Sequence, residues 1–123
     1  MNTRSILSLA ALSLLVACAT ATVPAKTQSG ALTNPAGMTL YTFDKDVASS
    51  GKSVCNGECA IKWPPLAAGT FDKASGDYAI ITRDDGSRQW SYKGKPLYLW
   101  INDKKPGDMT GDGVNNVWHT ARL

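Results

Sequence analysis

Tyr41-Thr42-Phe43-Asp44-Lys45-Asp46 and Tyr98-Leu99-Trp100-Ile101-Asn102-Asp103 are one pattern written twice, Tyr-x-aromatic-x-x-Asp. Each copy is entered through glycine and leucine, Gly37 and Leu40 before the first and Gly94 and Leu97 before the second, and every matched position recurs 57 residues later, as from 37 to 94. A further tryptophan follows each copy, Trp63 and Trp118. Chance seldom preserves spacing at five positions, so the chain reads as one small domain built from two related halves. Its unusual residues must be weighed first as parts of that repeat.

Period-two geometry gives the motif a physical meaning. On a strand, Tyr41 and Phe43 point to one face while Leu40 and Thr42 point to the other, and Tyr98 and Trp100 repeat the arrangement against Leu97 and Leu99. The two aromatic pairs are expected to meet across a pseudo-symmetric core, with Phe43 and Trp100 buried and the tyrosine hydroxyls reaching polar partners near the surface. Asp46 and Asp103 fall where each strand should end, and a carboxylate there accepts hydrogen bonds from turn amides. The opposing reading is an aromatic platform with an acidic rim, suited to a sugar ring or an amphipathic ligand.

Ala31 to Phe43 reads as strand, turn and strand, with Asn34-Pro35-Ala36-Gly37 as the turn. Tyr78 to Thr82, Arg88 to Tyr92 and Pro96 to Ile101 read as three strands joined by the turns 84–87 and Lys93-Gly94. Val117 to Ala121 is a last short strand. No window carries a long 3.6-residue apolar stripe, so the fold class is all-β: a small two-repeat antiparallel domain of hairpins. One short helical turn is expected near the cysteine loop, capped by Asn56 and stopped by Pro64-Pro65.

The first 17 residues carry one cation, Arg4, ahead of an uncharged apolar run from Ile6 to Leu15, which fits an export signal and is too short for a bilayer span. Leu15-Val16-Ala17-Cys18 resembles a lipobox, which makes Cys18 the acylated mature terminus and the chain's attachment to the membrane. A competing reading takes Ala19-Thr20-Ala21 as an ordinary cleavage site that discards Cys18. Residues 18–29, rich in Ala, Thr, Pro, Lys and Ser, then read as anchor and flexible tether, and 30–123 as the folded domain, with motif regions at 37–66 and 94–121.

Three cysteines are an odd number, and an odd thiol in an exported chain needs an explanation. If Cys18 carries lipid or is removed, Cys55 and Cys59 remain as a pair, most simply a local disulfide in an oxidising compartment. So short a loop adds about 2 kcal/mol at most.

The full chain has 13 basic and 10 acidic residues. The cations are scattered, with Lys104-Lys105 the one adjacent pair after the leader, so no basic stripe tracks phosphates and nucleic acid is excluded as a partner. They read as solvated surface.

At the level of whole motifs, Tyr41-x-Phe43-x-x-Asp46, Ser53-x-Cys55-x-Gly57-x-Cys59-Ala60-x-x-Trp63-Pro64-Pro65-Leu66, Asp85-Gly86-x-x-Gln89-Trp90-x-Tyr92-x-Gly94-x-Pro96-Leu97-Tyr98 and Gly107-Asp108-x-Thr110-Gly111-Asp112-Gly113-Val114-x-x-x-Trp118-His119 resemble the predicted bacterial lipoproteins with a Yx(FWY)xxD motif, the secreted repeat of unknown function. The resemblance spans Gly37 to Ala121. It implies exported, often lipid-anchored, repeat-built proteins and brings no biochemical activity with it. The repeats here are unequal, because the cysteine loop after the first motif is replaced by an Asp/Gly loop after the second.

Those two loops are where chemistry would lie. Cys55-x-x-x-Cys59 lacks the further imidazole or sulfur of typical zinc and copper sites, departs from the redox Cys-x-x-Cys spacing, and is followed by Ala60 where haem attachment needs histidine. Residues 107–113 place Asp108, Thr110 and Asp112 at alternate positions before Gly113, like the start of a calcium loop, but His119 stands where a bidentate glutamate is expected. His119 is the chain's single histidine. No Gly-x-Ser-x-Gly elbow accompanies it, so it reads as a partly exposed structural residue. Glu58 faces solvent on this reading.

The sequence therefore predicts a non-catalytic binding or structural module of the cell envelope, periplasm-facing or on the surface, with no metal or cofactor. Its partners are the membrane, through the lipid, and an envelope protein or polysaccharide. The alternative is a metal-handling or redox accessory protein.

Overall fold

The computed structural model describes residues 23–123. The signal segment 1–17, the anchor Cys18, the alternative cleavage site and the first part of the tether lie outside the described residues.

Seven short strands, β1 (Lys26–Gln28), β2 (Ala31–Thr33), β3 (Tyr41–Phe43), β4 (Tyr78–Thr82), β5 (Arg88–Tyr92), β6 (Lys95–Pro96) and β7 (Trp118–Thr120), are joined by one five-residue helix, α1 (Glu58–Lys62), and a 3-10 turn at Val114–Asn116. They form three small antiparallel sheets, β1-β2, β3-β7 and β4-β5-β6, which is the all-β class predicted. The β5 to β6 turn at Lys93-Gly94 has both φ angles positive, 48° and 83°, the geometry whose twist matches a tight hairpin.

Three local expectations are corrected. Folded structure reaches back beyond Gly30, at least to Pro24, because β1 pairs with β2 and Ala25 is buried in the core. Lys26, Thr27 and Gln28 are all exposed, so the strand is held by its backbone and carries no apolar alternation to read. Of the stretch 96–101 only Pro96 lies in a strand, Tyr98 makes isolated bridges, and Trp100 to Asp103 is a turn closed by the Asp103 N–H on the Trp100 carbonyl at 3.1 Å. Helix α1 is preceded by Gly57 with no side-chain cap, since the Asn56 amide instead donates to Asp84 and accepts from Arg83.

The two motif strands leave their own hairpins and meet each other. Tyr41 and Tyr98 exchange both backbone hydrogen bonds, at 2.8 and 2.9 Å, as an antiparallel pair. Each then pairs with the closing segment of the opposite repeat: β3 runs against β7, while Tyr98 bridges Pro65 just beyond Trp63. The exchange produces two matching three-way rings of backbone bonds. In one, Leu40 N–H binds Leu32, Ala121 N–H binds Leu40, and Leu32 N–H binds Ala121. In the other, Leu97 binds Trp90, Leu66 binds Leu97, and Trp90 binds Leu66. The first repeat's end thus completes the second repeat, and the second repeat's end completes the first.

Leu40 and Leu97 sit in one core cluster with Leu32, Leu66, Trp90 and Tyr92, while Tyr41 and Tyr98 sit in another with Trp63, Trp118 and Cys55. This is the two-faced division that the alternation predicts. The entry glycines fit the same symmetry: Gly37 (φ 90°) lies where a Cβ would meet Pro106 of the second repeat at 3.1 Å, and Gly94 (φ 83°) where one would meet Ser49 of the first at 2.3 Å.

Candidate functional site

Both motif aspartates are buried, and each is bonded to the tyrosine of the other repeat. Tyr41 Oη donates to Asp103 Oδ2 at 2.6 Å, and Tyr98 Oη donates to Asp46 Oδ2. The free oxygen of each carboxylate ties its own turn, as the sequence predicts: Asp46 Oδ1 accepts the Val54 N–H at 2.8 Å, and Asp103 Oδ1 accepts the Thr110 N–H and hydroxyl at 2.9 and 2.7 Å. The tyrosines are fully buried, so the expectation that their hydroxyls would lie near the surface is wrong. A buried phenol in a two-repeat core finds its acceptor in the partner motif, and spacing along the chain cannot show that.

The phenol oxygens accept as well as donate. Gly111 N–H donates to Tyr41 Oη at 3.2 Å, and a Cβ at Gly111 would meet the Tyr41 and Trp63 rings at 2.9 Å, so only glycine fits there. At the other phenol the donor is the Ser53 hydroxyl, 2.6 Å away. Tyr98 has one proton and gives it to Asp46, so Ser53 must supply this bond. Ser53 Oγ in turn accepts from Arg83 Nη1 at 2.9 Å and from Cys55 N–H at 3.2 Å.

Arg83 is the functional-looking residue that sequence reasoning missed. It is 5 % exposed and its guanidinium also donates to Gln89 Oε1 at 2.7 Å, to the Cys55 carbonyl and to Asn56 Oδ1. Arg83 belongs to the second repeat but serves the loop of the first; among the described residues no cation is bonded to the Tyr41–Asp103 pair. Burial pushes the Asp46 carboxyl above its ordinary range, opposed by the Tyr98 and Val54 hydrogen bonds and by the Arg83 charge. Burial and the carboxylate partner both raise the phenols of Tyr41 and Tyr98 well beyond the ordinary tyrosine value.

Around these pairs the aromatic side chains stack in one line. Trp63 and Trp118 lie face to face with centroids 3.8 Å apart and planes 4° from parallel. Phe43 caps Trp118 at 4.2 Å, and Trp100 caps Trp63 at 3.9 Å. Tyr41 meets Trp63 edge-on at 5.4 Å, and Tyr98 meets Trp118 edge-on at 5.1 Å. Trp63 and Trp118 are buried, whereas Phe43 and Trp100 are half-buried ends rather than full core residues. The free faces of the two ends look in opposite directions, so they do not form a single sugar platform.

Cys55 and Cys59 form a disulfide with Cα atoms 5.2 Å apart, as the sequence reading favoured. In the loop 107–113 the calcium-like carboxylates are turned to other uses. Asp108 accepts the N–H groups of Lys104 and Lys105, and Asp112 accepts that of Thr120, bonds that hold both carboxyls below their usual range. Among the described residues no three His, Cys, Asp or Glu side chains converge on a point. His119 and Glu58 are exposed.

His119 Nε2 lies 2.7 Å from Asp44 Oδ2, both about half exposed, at the wall of an open groove of about 350 Å³. Lys93, Lys95, Arg122 and the Tyr92 ring line the same groove, with the Lys93 ammonium 5.4 Å from the Tyr92 centroid.

No curated protein and no solved structure matches the chain. A family described as the secreted repeat of unknown function matches it twice, over residues 24–67 and 79–122. Each match takes in the strand pairing ahead of its motif as well as the motif itself. Two matched repeats, carrying the reciprocal Tyr–Asp pairs and shared aromatic stack, place this chain in the family of the secreted repeat of unknown function.

Proposed function

We propose that the protein is an exported, lipid-anchored and non-catalytic envelope module that binds an acidic envelope polysaccharide in the groove beside β7. The groove carries the reading. It gathers three cations, Lys93, Lys95 and Arg122, with His119 bonded to Asp44, and Tyr92, largely buried, forms part of its wall under the Lys93 ammonium. The other side chains capable of acid, base or thiol chemistry in the motifs are engaged internally: Asp46 and Asp103 by tyrosines, Asp108 and Asp112 by backbone amides, and the cysteines by each other. That engagement favours a scaffold over an enzyme. It also weighs against the metal-handling alternative, which needs free donors.

Membrane attachment is assigned to Cys18, ahead of a tether that ends no later than Pro24. Cys18→Ala is expected to leave the domain folded and release it from the membrane fraction, whereas a wild-type terminus at Thr22 by mass spectrometry refutes the anchor. Lys93→Ala with Lys95→Ala and Arg122→Ala should abolish retention on an immobilised polyuronate at low salt without changing the unfolding midpoint. Unchanged retention by the triple variant refutes the groove.

A further inference from the structure

The aromatic array has the parts of a one-electron relay. Transfer of an oxidising equivalent through a protein needs rings in contact, an oxidisable ring at the surface, and a terminal phenol whose proton has somewhere to go, because an oxidised phenol that keeps its proton is too acidic to persist. Trp100, Trp63 and Trp118 are stacked at 3.9 and 3.8 Å, and Trp100 is the half-exposed end. Phe43 at the other end is much harder to oxidise, so the port lies on the Trp100 side. Tyr41 and Tyr98 stand edge-on to the two inner indoles, and each already points its O–H at a buried carboxylate.

We propose that this array accepts one oxidising equivalent from a strong one-electron oxidant, of the class of small inorganic oxidising radicals, and settles it on Tyr41. The oxidant takes one electron from Trp100 and is reduced by one electron. Trp63 refills Trp100, and Tyr41 refills Trp63. The Tyr41 O–H bond breaks as its electron leaves, and an O–H bond forms on Asp103 Oδ2. The site ends with a neutral phenoxyl on Tyr41, a protonated Asp103, and Trp100 and Trp63 both restored.

The two halves differ in a way that selects Tyr41 over Tyr98. Arg83 reaches the Tyr98–Asp46 pair through Ser53 Oγ, and its charge favours the ionised Asp46 carboxylate, so moving a proton onto Asp46 gives up that attraction. Among the described residues no cation is bonded to the Tyr41–Asp103 pair. Tyr41 is also one ring nearer the port, since it contacts Trp63 directly.

The experiment is laser flash-quench on the purified domain, with a photo-oxidised ruthenium polypyridyl complex as the oxidant and transient absorption and electron paramagnetic resonance as readouts. An indolyl radical should appear first and decay into a phenoxyl at a rate independent of protein concentration and slowed in D2O. Tyr41→Phe should leave a long-lived indolyl signal, and Tyr78→Phe with Tyr92→Phe should change nothing. Should Tyr41→Phe unfold the domain, Trp100→Leu at the half-exposed end is the second variant, and loss of fast phenoxyl formation in it supports the relay. A phenoxyl that survives Tyr41→Phe, or one that vanishes in the Tyr78 and Tyr92 variant, overturns the proposal. So does a rate that scales with protein concentration.

Discussion

Removing Arg83 tests whether a single buried cation braces the first half of the domain. Its guanidinium serves Ser53 Oγ at 2.9 Å, Gln89 Oε1 at 2.7 Å, Asn56 Oδ1 at 3.4 Å and the Cys55 carbonyl. Arg83→Ala leaves those acceptors short of a donor and removes a positive charge that favours the ionised Asp46. Losing one partner of a buried charged network costs about 3–5 kcal/mol, because the groups left behind stay desolvated. A domain of this size has about 5–15 kcal/mol in all. In urea, at about 1–3 kcal/mol per molar, the midpoint should therefore fall by at least about 1 M. Arg88 is the control: it also bonds two backbone carbonyls, Gly69 and Asp72, but is only half-buried, and Arg88→Ala should cost under about 1 kcal/mol. Arg83→Lys should fall between, since one ammonium keeps the charge but cannot span the same acceptors. Tryptophan fluorescence reads all three. Equal costs for Arg83→Ala and Arg88→Ala would refute the reasoning.

The aromatic stack should show a burial gradient. Trp63→Ala and Trp118→Ala, at 4 % and 3 % exposure, should each cost about 3–5 kcal/mol. Phe43→Ala and Trp100→Ala at the half-buried ends should cost about half as much, and a flat series by denaturant unfolding contradicts the stack. Stability should change little between about pH 7 and pH 9 and fall above about pH 10, because the unfolded phenols of Tyr41 and Tyr98 ionise there while the folded ones, raised by burial, do not. Each phenol contributes a slope of about 1.4 kcal/mol per pH unit, and a Tyr41→Phe, Tyr98→Phe double variant with the wild-type alkaline limb refutes this. No thiol at Cys55 or Cys59 should alkylate in folded protein without reductant, and changing both to serine should lower stability by about 2 kcal/mol at most.

The parts of the fold legible in the sequence were those fixed by local period and turn chemistry. Alternation around Tyr41 and Tyr98 placed leucines and aromatics in separate clusters, and Lys93-Gly94 marked its hairpin. The exchange between repeats was not legible, because Asp46 and Asp103 are equally distant in kind from either tyrosine until the chain is folded. Their partners lie 52 and 62 residues away. Arg83 looked like one of many scattered cations. Its partners Ser53, Cys55 and Asn56 lie about 30 residues back in the other repeat, so no local pattern marks it. Strand β1 was missed because its three side chains all face water, and Asn56 was misassigned because Asp84 and Arg83 outcompete the helix for its amide.

Double-mutant cycles on the four motif residues test the exchange itself, with Tyr41→Phe and Tyr98→Phe crossed against Asp46→Asn and Asp103→Asn and unfolding free energy as the readout. The structure predicts coupling of about 1.5–3 kcal/mol for Tyr41 with Asp103 and for Tyr98 with Asp46, the range for hydrogen bonds to charged groups. It predicts coupling within about 0.5 kcal/mol of zero for Tyr41 with Asp46 and for Tyr98 with Asp103. Coupling that follows the repeats, Tyr41 to Asp46 and Tyr98 to Asp103, would contradict the interlocked halves.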